Sequence, residues 1–201
     1  MNQDIKQAIQ REYLKCVQDP VHFMRKYCTI QHPKHGKVKF DLYPFQEKCL
    51  TDFKDNRYNI ILKARQLGIS TLSAGYALWM MLFHNDKNIL VIATGKDTAK
   101  NLVTKVRVMY ENLPQWLKTN TEEINKLSLR FKNGSQIKAI ASNESAGRSE
   151  ALSLLIIDEA AFIDKIGEIW TAAQQTLATG GDAIVLSTPN GVGNWFHQQW
   201  V

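Results

Sequence analysis

The sequence is poor in cysteine and contains no apolar run of membrane-spanning length. Its three cysteines, Cys16, Cys28 and Cys49, are odd in number and widely spaced, so we expect reduced thiols rather than a disulfide framework. The longest apolar stretches, 72–83 and 151–157, are too short to cross a bilayer, and the N-terminus lacks the apolar core of a signal peptide. Internal repeats and low-complexity tracts are also absent. We therefore expect a cytosolic protein of one globular domain, with no membrane partner.

Composition and charge restrict the function less than these absences do. With 201 residues, of which 44% are hydrophobic, the chain can bury a full core. The net charge of +6 permits a polyanionic partner such as DNA. A basic surface is also common in proteins that never bind nucleic acid, so the charge alone does not identify a partner.

A loop at residues 63–71 joins a strand-like run to a long apolar stretch, which is where a phosphate-binding loop belongs. The usual pattern, G-x-x-x-x-G-K-[ST], holds phosphates with backbone N–H groups, a lysine and a hydroxyl that binds Mg²⁺. Gly68 and Ser70 stand at the second glycine and at the hydroxyl. Ile69 replaces the lysine, however, and Lys63 stands at the first glycine. The positive charge has therefore moved to the start of the loop.

Two basic residues of this loop compete for the role of neutralising phosphate. Lys63 is the first choice, because it can fold back over the loop as a point charge. Arg65 could instead clamp phosphate oxygens in a fork or pair with Glu159. The predicted nucleotide-binding residues here are Lys63, Arg65, Gln66, Leu67, Gly68, Ile69, Ser70 and Thr71. The alternative is an ordinary helix start capped by Ser70 or Thr71.

An apolar run at residues 152–157 ends in two adjacent carboxylates, Asp158 and Glu159. The run has the length of a buried strand in a parallel sheet. Because successive strand side chains point opposite ways, we expect Asp158 to face a Mg²⁺ ion and Glu159 to activate the attacking water. The metal ligands would then be Ser70 and Asp158. The alternative is a solvated turn that starts a helix.

Strand and helix patterns alternate along the chain. We predict helices over residues 4–17, 20–27, 46–53, 70–83 and 166–177, with a further helix capped by Asp97. We predict strands over 59–62, 88–93, 126–131, 136–141, 152–157 and 183–186, and a loop or edge hairpin over 30–40. Such alternation predicts a mostly parallel sheet covered on both faces, with ligands at the carboxyl ends of its strands.

Polar residues also follow the last predicted strand. Ser187, Thr188 and Asn190 lie beside the expected end of the strand that carries Asp158 and Glu159. We interpret them as a coupling group that senses the γ-phosphate, because ligands collect at this edge of such sheets. A simple turn is the alternative, since the segment is rich in turn-forming residues.

Three residues outside these motifs are further candidates. Tyr43 offers an aromatic face and Gln46 an amide able to pair with adenine. The alternatives are that Tyr43 is part of the core and that Gln46 lies in the first turn of a helix. Arg148 precedes the acidic strand, where a guanidinium reaching a neighbouring subunit could stabilise the transition state and raise the rate by about 10³ to 10⁵. A solvated or DNA-facing arginine is the alternative.

Together these motifs resemble the ATPase domain of the large terminase subunit of tailed bacteriophages, the motor that packages DNA into procapsids. The resemblance covers most of the chain and rests on segments 19–23, 32–36, 43–46, 63–70, 154–162 and 187–190. It implies an α/β fold: a P-loop NTPase of the RecA/ASCE-like type, with three layers, a mostly parallel central sheet and an N-terminal helical cap. Gln46 corresponds to the family's adenine-binding glutamine, and Arg148 to its trans-acting arginine.

The resemblance also implies cofactors, partners and domain limits. ATP and Mg²⁺ are the expected cofactors, and double-stranded DNA, the portal protein and the small terminase subunit are the expected partners. We expect a homo-oligomeric ring at the procapsid portal vertex in the host cytoplasm, with a monomer in isolation. Residues 1–42 should form the helical cap or lid, and residues 43–201 the ATPase core. The family continues into a nuclease domain of ribonuclease H type, so no nuclease activity is expected of these residues.

Two other functions stay open on the sequence alone. The loss of lysine at Ile69 fits a nucleotide-binding scaffold that has lost catalysis and docks a portal or partner protein. A helicase-like DNA translocase shares the same motifs, but it would need a second RecA-like domain with motifs of its own.

Overall fold

Helices cover both faces of one large sheet, and a separate two-stranded sheet lies outside it. The computed structural model describes residues 3–142 and 150–201. The helices are α1 (Gln3–Gln18), α2 (Pro20–Tyr27), α3 (Pro44–Asp55), α4 (Ile69–Phe83), α5 (Lys96–Glu111), α6 (Ile166–Thr176) and α7 (Trp195–Trp200). The strands are β1 (Thr29–His32), β2 (Gly36–Lys39), β3 (Tyr58–Leu62), β4 (Asn88–Ala93), β5 (Thr121–Ile124), β6 (Ser128–Phe131), β7 (Gln136–Ala141), β8 (Leu154–Asp158) and β9 (Asp182–Ser187).

The large sheet has the strand order β3-β9-β8-β4-β7-β6-β5. The pairs from β3 to β7 are parallel, whereas β6 and β5 add an antiparallel extension. This order confirms the predicted mostly parallel sheet. Leu62 pairs with Ser187, and Asp158 pairs with Leu186, so β3, β9 and β8 end together at one edge. The residues that follow these three strands therefore meet.

Alternate residues of the central strands pack against different layers. In β8 every residue is buried: Leu154 and Ile156 belong to the cluster that contains α4 and α5, and Leu155 and Ile157 to the cluster that contains α6. Burying each such side chain contributes about 1.5–3 kcal/mol, which is why a continuous apolar run forms a central strand. The three-layer arrangement expected from the sequence is thus observed.

The N-terminal helices pack on the same core as the sheet. Cys16 and Phe23 belong to the cluster that contains α4. The indole Nε1 of Trp79 donates a 2.7 Å hydrogen bond to the carbonyl of Cys16. Helix α4 is therefore buried against the sheet on one side and the N-terminal helices on the other, which explains why it is apolar almost all round.

Several predicted details differ in the structure. Residues 29–39 form a hairpin in their own sheet rather than at the edge of the large one. Helix α5 begins at Lys96 after Gly95, so Asp97 lies in the first turn and is not the cap. Strand β5 and helix α7 were not predicted, because both are short and lack a clear period. Within the described ranges, no helix is both long enough and apolar enough to cross a bilayer.

Candidate active site

The loop between β3 and α4 turns sharply by placing two residues in the left-handed region. Gln66 has a φ of 63°, and Gly68, which precedes the first turn of α4, has a φ of 72°. Leu72 N donates to the Gly68 carbonyl at 2.9 Å, which starts the helix. The N-terminus of α4, with its free N–H groups and positive dipole end, therefore borders the loop. This geometry is that of an anion-binding loop.

Gln46 holds this loop from α3. Its Oε1 accepts from the Tyr43 N–H at 3.0 Å, and its Nε2 donates to the Leu67 carbonyl at 2.9 Å. The side chain is buried, and a Cβ added to Gly68 would lie 2.7 Å from Nε2. In this structure both ends of the Gln46 amide are thus bonded within the protein. Tyr43 is 63% exposed and stacks on Phe45, so its ring is a surface feature rather than core.

The two carboxylates after β8 are separated by a backbone turn. Asp158 is the last residue of the strand, and Glu159 has a φ of 56° and lies outside it. The predicted alternation of strand side chains therefore does not apply to this pair, because Glu159 is not part of the strand. Glu159 N donates to Asp158 Oδ1 at 3.0 Å, which fixes the turn. Burial raises the pKa of Asp158, while a hydrogen bond with Ser70 and the charge of Lys63 oppose that rise.

Lys63 pairs with Glu159. Its Nζ lies 2.7 Å from Glu159 Oε1, and only 8% of the Lys63 side chain is exposed. Burial alone would raise the pKa of Glu159, but the hydrogen bond and charge of Lys63, with help from Thr188, bring it below its ordinary value. Arg65, considered as the partner of Glu159 on the sequence, lies exposed on the loop instead.

The residues after β9 contact the residues after β8, as the sequence predicted. Thr188 donates to Glu159 Oε2 through its backbone N–H at 3.4 Å and its hydroxyl at 3.2 Å. Ser187 Oγ accepts from Ala161 N at 3.1 Å, and Asn190 Nδ2 donates to the Ala161 carbonyl at 2.9 Å. The Lys63 N–H also donates to the Ser187 carbonyl at 3.0 Å. A displacement of the end of β8 or of β9 would therefore change the contacts of Glu159.

These elements enclose a cavity of about 670 Å³. That volume lies within the range of small-molecule sites in proteins. The cavity is lined by Lys63, Ala64, Arg65, Gln66, Leu67, Gly68, Ile69, Ser70, Thr71, Thr94, Lys105, Glu159, Phe162 and Thr188. The structure thus brings the predicted loop together with Glu159 and Thr188.

Sequence reasoning missed Lys105, which reaches this cavity from α5. The side chain is half-buried. Burial lowers the pKa of Lys105, and the charge of Asp158 opposes that change. Its only sequence signal is a place on an amphipathic helix outside any motif. Arg148 lies outside the described residues.

Ser70 and Asp158 have the chemistry of a Mg²⁺ site. Mg²⁺ prefers oxygen ligands and is usually held by one or two protein groups together with substrate phosphates and water. The hydroxyl is close enough to lower the pKa of the buried carboxylate, so a single ion could contact both. These residues therefore fit the group.

Known proteins share this architecture. The profile of the family "Terminase large subunit, T4likevirus-type, N-terminal" matches residues 60–201. The large terminase of bacteriophage HK97 superposes with a TM-score of 0.68 over 86% of this chain, at 18% identity. The large terminase ATPase domain of Thermus phage P74-26 gives 0.59 over 79%, at 24% identity. The large terminase of a thermophilic bacteriophage, solved in complex with ADP, gives 0.62 over 79%, at 17% identity.

This chain spans 37% of the HK97 protein, 69% of the P74-26 domain and 42% of the ADP-bound terminase. At these identities the superpositions show a common fold.

Proposed function

The chain belongs to the family of T4likevirus-type terminase large subunits, in their N-terminal part, and on that premise we propose that it hydrolyses Mg·ATP to drive double-stranded DNA into a procapsid. One observation carries the proposal. The loop with its Ser70 hydroxyl, and the carboxylate of Glu159 that pairs with Lys63, border one cavity of nucleotide size, and the buried carboxylate of Asp158 lies next to Ser70. The complex of the related thermophilic-phage terminase with ADP supports a nucleotide as the ligand.

Each side chain has a role that follows from its position. The N–H groups of the loop and the start of α4 bind phosphate oxygens. Ser70 and Asp158 would hold Mg²⁺, which would neutralise phosphate charge. Glu159, kept ionised by Lys63, orients and deprotonates the attacking water, an effect of about 10² to 10⁴ in rate. Thr188 contacts Glu159 and transmits the state of the site to Ser187 and Asn190.

The nucleotide base has a proposed site near the loop. Tyr43 presents an exposed ring on which an adenine can stack, at the end of α3 that contacts the loop. In the present geometry Gln46 holds the loop through its side-chain amide. The adenine contact that the family resemblance implies would require Gln46 to give up one of its two hydrogen bonds within the protein. Lys63 and Arg65 remain the proposed loop cations for the phosphates.

Replacing Glu159 by Gln tests the catalytic role. Because the amide cannot accept a proton, we expect phosphate release to fall by at least about 10²-fold while ADP affinity is kept. Glu168→Gln, an exposed position on α6, is the matched control and should behave as the parent. Unchanged hydrolysis in Glu159→Gln would reject the assignment.

A nucleotide-binding scaffold is the second candidate, and the position of Ile69 favours it. This residue replaces the usual lysine and is only 3% exposed. Phosphate release by the parent and by Lys63→Ala distinguishes the two functions. A parent that binds ADP but stays inactive when assembled at high concentration on DNA supports the scaffold. Loss of a measurable parent activity in Lys63→Ala supports the ATPase.

The remaining parts of the proposal concern the assembly. We propose residues 1–42 as a cap on an ATPase core of residues 43–201, acting in a ring at the portal vertex in the host cytoplasm. Portal protein, small terminase subunit and DNA are the proposed partners, and Arg148 is the proposed trans-acting arginine. The absence of nuclease activity in these residues stays a prediction that a plasmid-cleavage assay checks.

A further inference from the structure

We propose that Lys105 of α5 contacts the phosphate chain of the bound nucleotide and supplies the positive charge that Ile69 does not. The proposal rests on the proposed function and adds a residue outside every loop motif. Its chemistry is the recognition of a nucleoside di- or triphosphate by a lysine that approaches from the helix beyond β4.

The position of Lys105 is the first argument. It lines the cavity together with Ser70 and Thr71, which begin α4. It also lines a second cavity of about 350 Å³ formed with Ile30 and Gln31 of β1. The side chain therefore borders both cavities beside the start of α4, where Thr71 also lines both of them.

The other candidate positions for a phosphate-binding cation in the cavity are paired, exposed or apolar. Lys63 Nζ is held at 2.7 Å by Glu159 Oε1. Arg65 lies exposed on the loop. The usual lysine position is occupied by Ile69, which packs in the hydrophobic core. Among the described residues that line the cavity, Lys105 is thus the half-buried cation without a close ion-pair partner.

The charge of Asp158 acts on Lys105, but it only partly offsets the effect of burial on the Lys105 pKa. In the described part of the chain no carboxylate forms an ion pair with it, whereas its helix neighbour Arg107 has Glu111 at 3.7 Å. A half-buried ammonium loses hydration, and that loss is compensated only by an anion or an acceptor. A phosphate in the adjoining cavity is such an anion, and a lysine binds it as a point charge.

Binding measurements on charge variants test the proposal. We would titrate adenosine, ADP and a non-hydrolysable ATP analogue with Mg²⁺, without DNA, into the parent, Lys105→Met and Lys105→Arg. Lys100→Met, on the same helix but outside the cavity lining, is the matched control. In Lys105→Met we expect ADP and analogue affinity to fall about 10- to 100-fold, with adenosine unchanged. Lys105→Arg should recover part of the loss, and the control should match the parent.

Thermal unfolding without nucleotide separates this role from a structural one. Because Lys105→Met removes a half-buried charge that has no close ion-pair partner among the described residues, its unfolding midpoint should equal or exceed that of the parent. Equal loss for adenosine and ADP, or equal ADP affinity in parent and Lys105→Met, would overturn the proposal. In a separate titration with double-stranded DNA, a loss confined to DNA binding would also overturn it and would assign the lysine to DNA phosphates. If Lys105→Met does not fold, Lys105→Gln replaces it. Unfolding of both neutral variants would show a structural lysine and also count against the proposal.

Failure of the proposed function gives a different result. A parent that binds no nucleotide rejects the ATPase itself. A parent that binds and hydrolyses ATP while Lys105→Met does the same rejects only the role of Lys105.

Discussion

Gly68 and Gln46 depend on each other. The left-handed backbone at Gly68 lets the loop enter α4, and the absence of a Cβ leaves room for the Gln46 amide. That amide in turn holds the Leu67 carbonyl at 2.9 Å. A single added methyl group would therefore disturb the loop twice, by backbone strain and by displacing its support.

Gly68→Ala should lower the free energy of unfolding by about 2–4 kcal/mol and weaken ADP binding. Gly36→Ala is the matched control, because Gly36 also has a positive φ but has open space around its Cβ position. It should cost only the backbone term of about 1–2 kcal/mol and leave ADP affinity unchanged. Urea unfolding and calorimetric titration measure both. Equal effects in the two variants would show that the contact with Gln46 contributes nothing.

At the scale of secondary-structure elements, Glu12 joins α1 to α2. Its Oε1 lies 2.7 Å from His22 Nε2, 2.8 Å from Lys26 Nζ and 2.9 Å from Tyr27 Oη. The hydrogen bond from Lys26, followed by that from His22, outweighs burial and lowers the pKa of Glu12 to about 2. The carboxylate is thus a stronger acid in the folded protein, and its ionised form stabilises the helix pair.

Glu12→Gln should destabilise the protein by about 1–2 kcal/mol at pH 7, allowing for solvent screening. Since the pKa of Glu12 is lowered on folding, its stabilisation is complete above the ordinary pKa of 4.5 and is lost as the pH falls toward 2. Urea unfolding of parent and variant from pH 7 to pH 3.5 should show their difference shrinking below pH 4.5. Glu122→Gln, which removes an exposed pair with Arg130, should change stability by less than about 1 kcal/mol. A difference that stays constant with pH would contradict this account.

At the scale of the whole molecule, a trans-acting Arg148 predicts complementation between inactive subunits. Arg148→Ala subunits keep a complete site of their own but offer no arginine to a neighbour. Glu159→Gln subunits offer the arginine but cannot activate water. Mixed on double-stranded DNA, the two should release phosphate faster than either alone, toward the about 10³-fold effect such arginines give.

Phosphate release at fixed total concentration, measured while the subunit ratio varies, checks this prediction. Mixing Arg148→Ala with the Arg148→Ala, Glu159→Gln double variant is the control and should give no recovery. A mixture no faster than its components would place the arginine in its own site or outside catalysis.

Much of the fold and the core of the site could be predicted from the sequence. Apolar runs of strand length alternate with amphipathic helices, and in a parallel sheet the residues after neighbouring strands meet at one edge. The meeting of Glu159 with Thr188 follows from that rule, whereas the place of Ser70 follows from the glycine-and-hydroxyl pattern of the loop. The proposal of Mg²⁺ as the ion follows from the oxygen chemistry of Ser70 and Asp158.

The parts that could not be predicted depend on contacts distant in sequence. Lys63 rather than Arg65 meets Glu159, and the bond from the Lys63 N–H to the Ser187 carbonyl, a contact distant in sequence, holds it there. Lys105 reaches the cavity because α5 packs beside α4, and helical spacing alone does not say which polar residue faces a site. Short elements such as α7 form through tertiary packing, which cannot be predicted from the local sequence pattern.

Strand β9 lies between β3 and β8, so the two strands that carry the loop and the acidic pair share no hydrogen bonds. On the ribosome, β3 and β8 emerge first, and the sheet stays open until Asp182–Ser187 leaves the exit tunnel. A nascent chain stalled before residue 182 therefore holds both motifs but no finished pocket. The cavity is therefore completed late in translation, when the last parallel strand inserts.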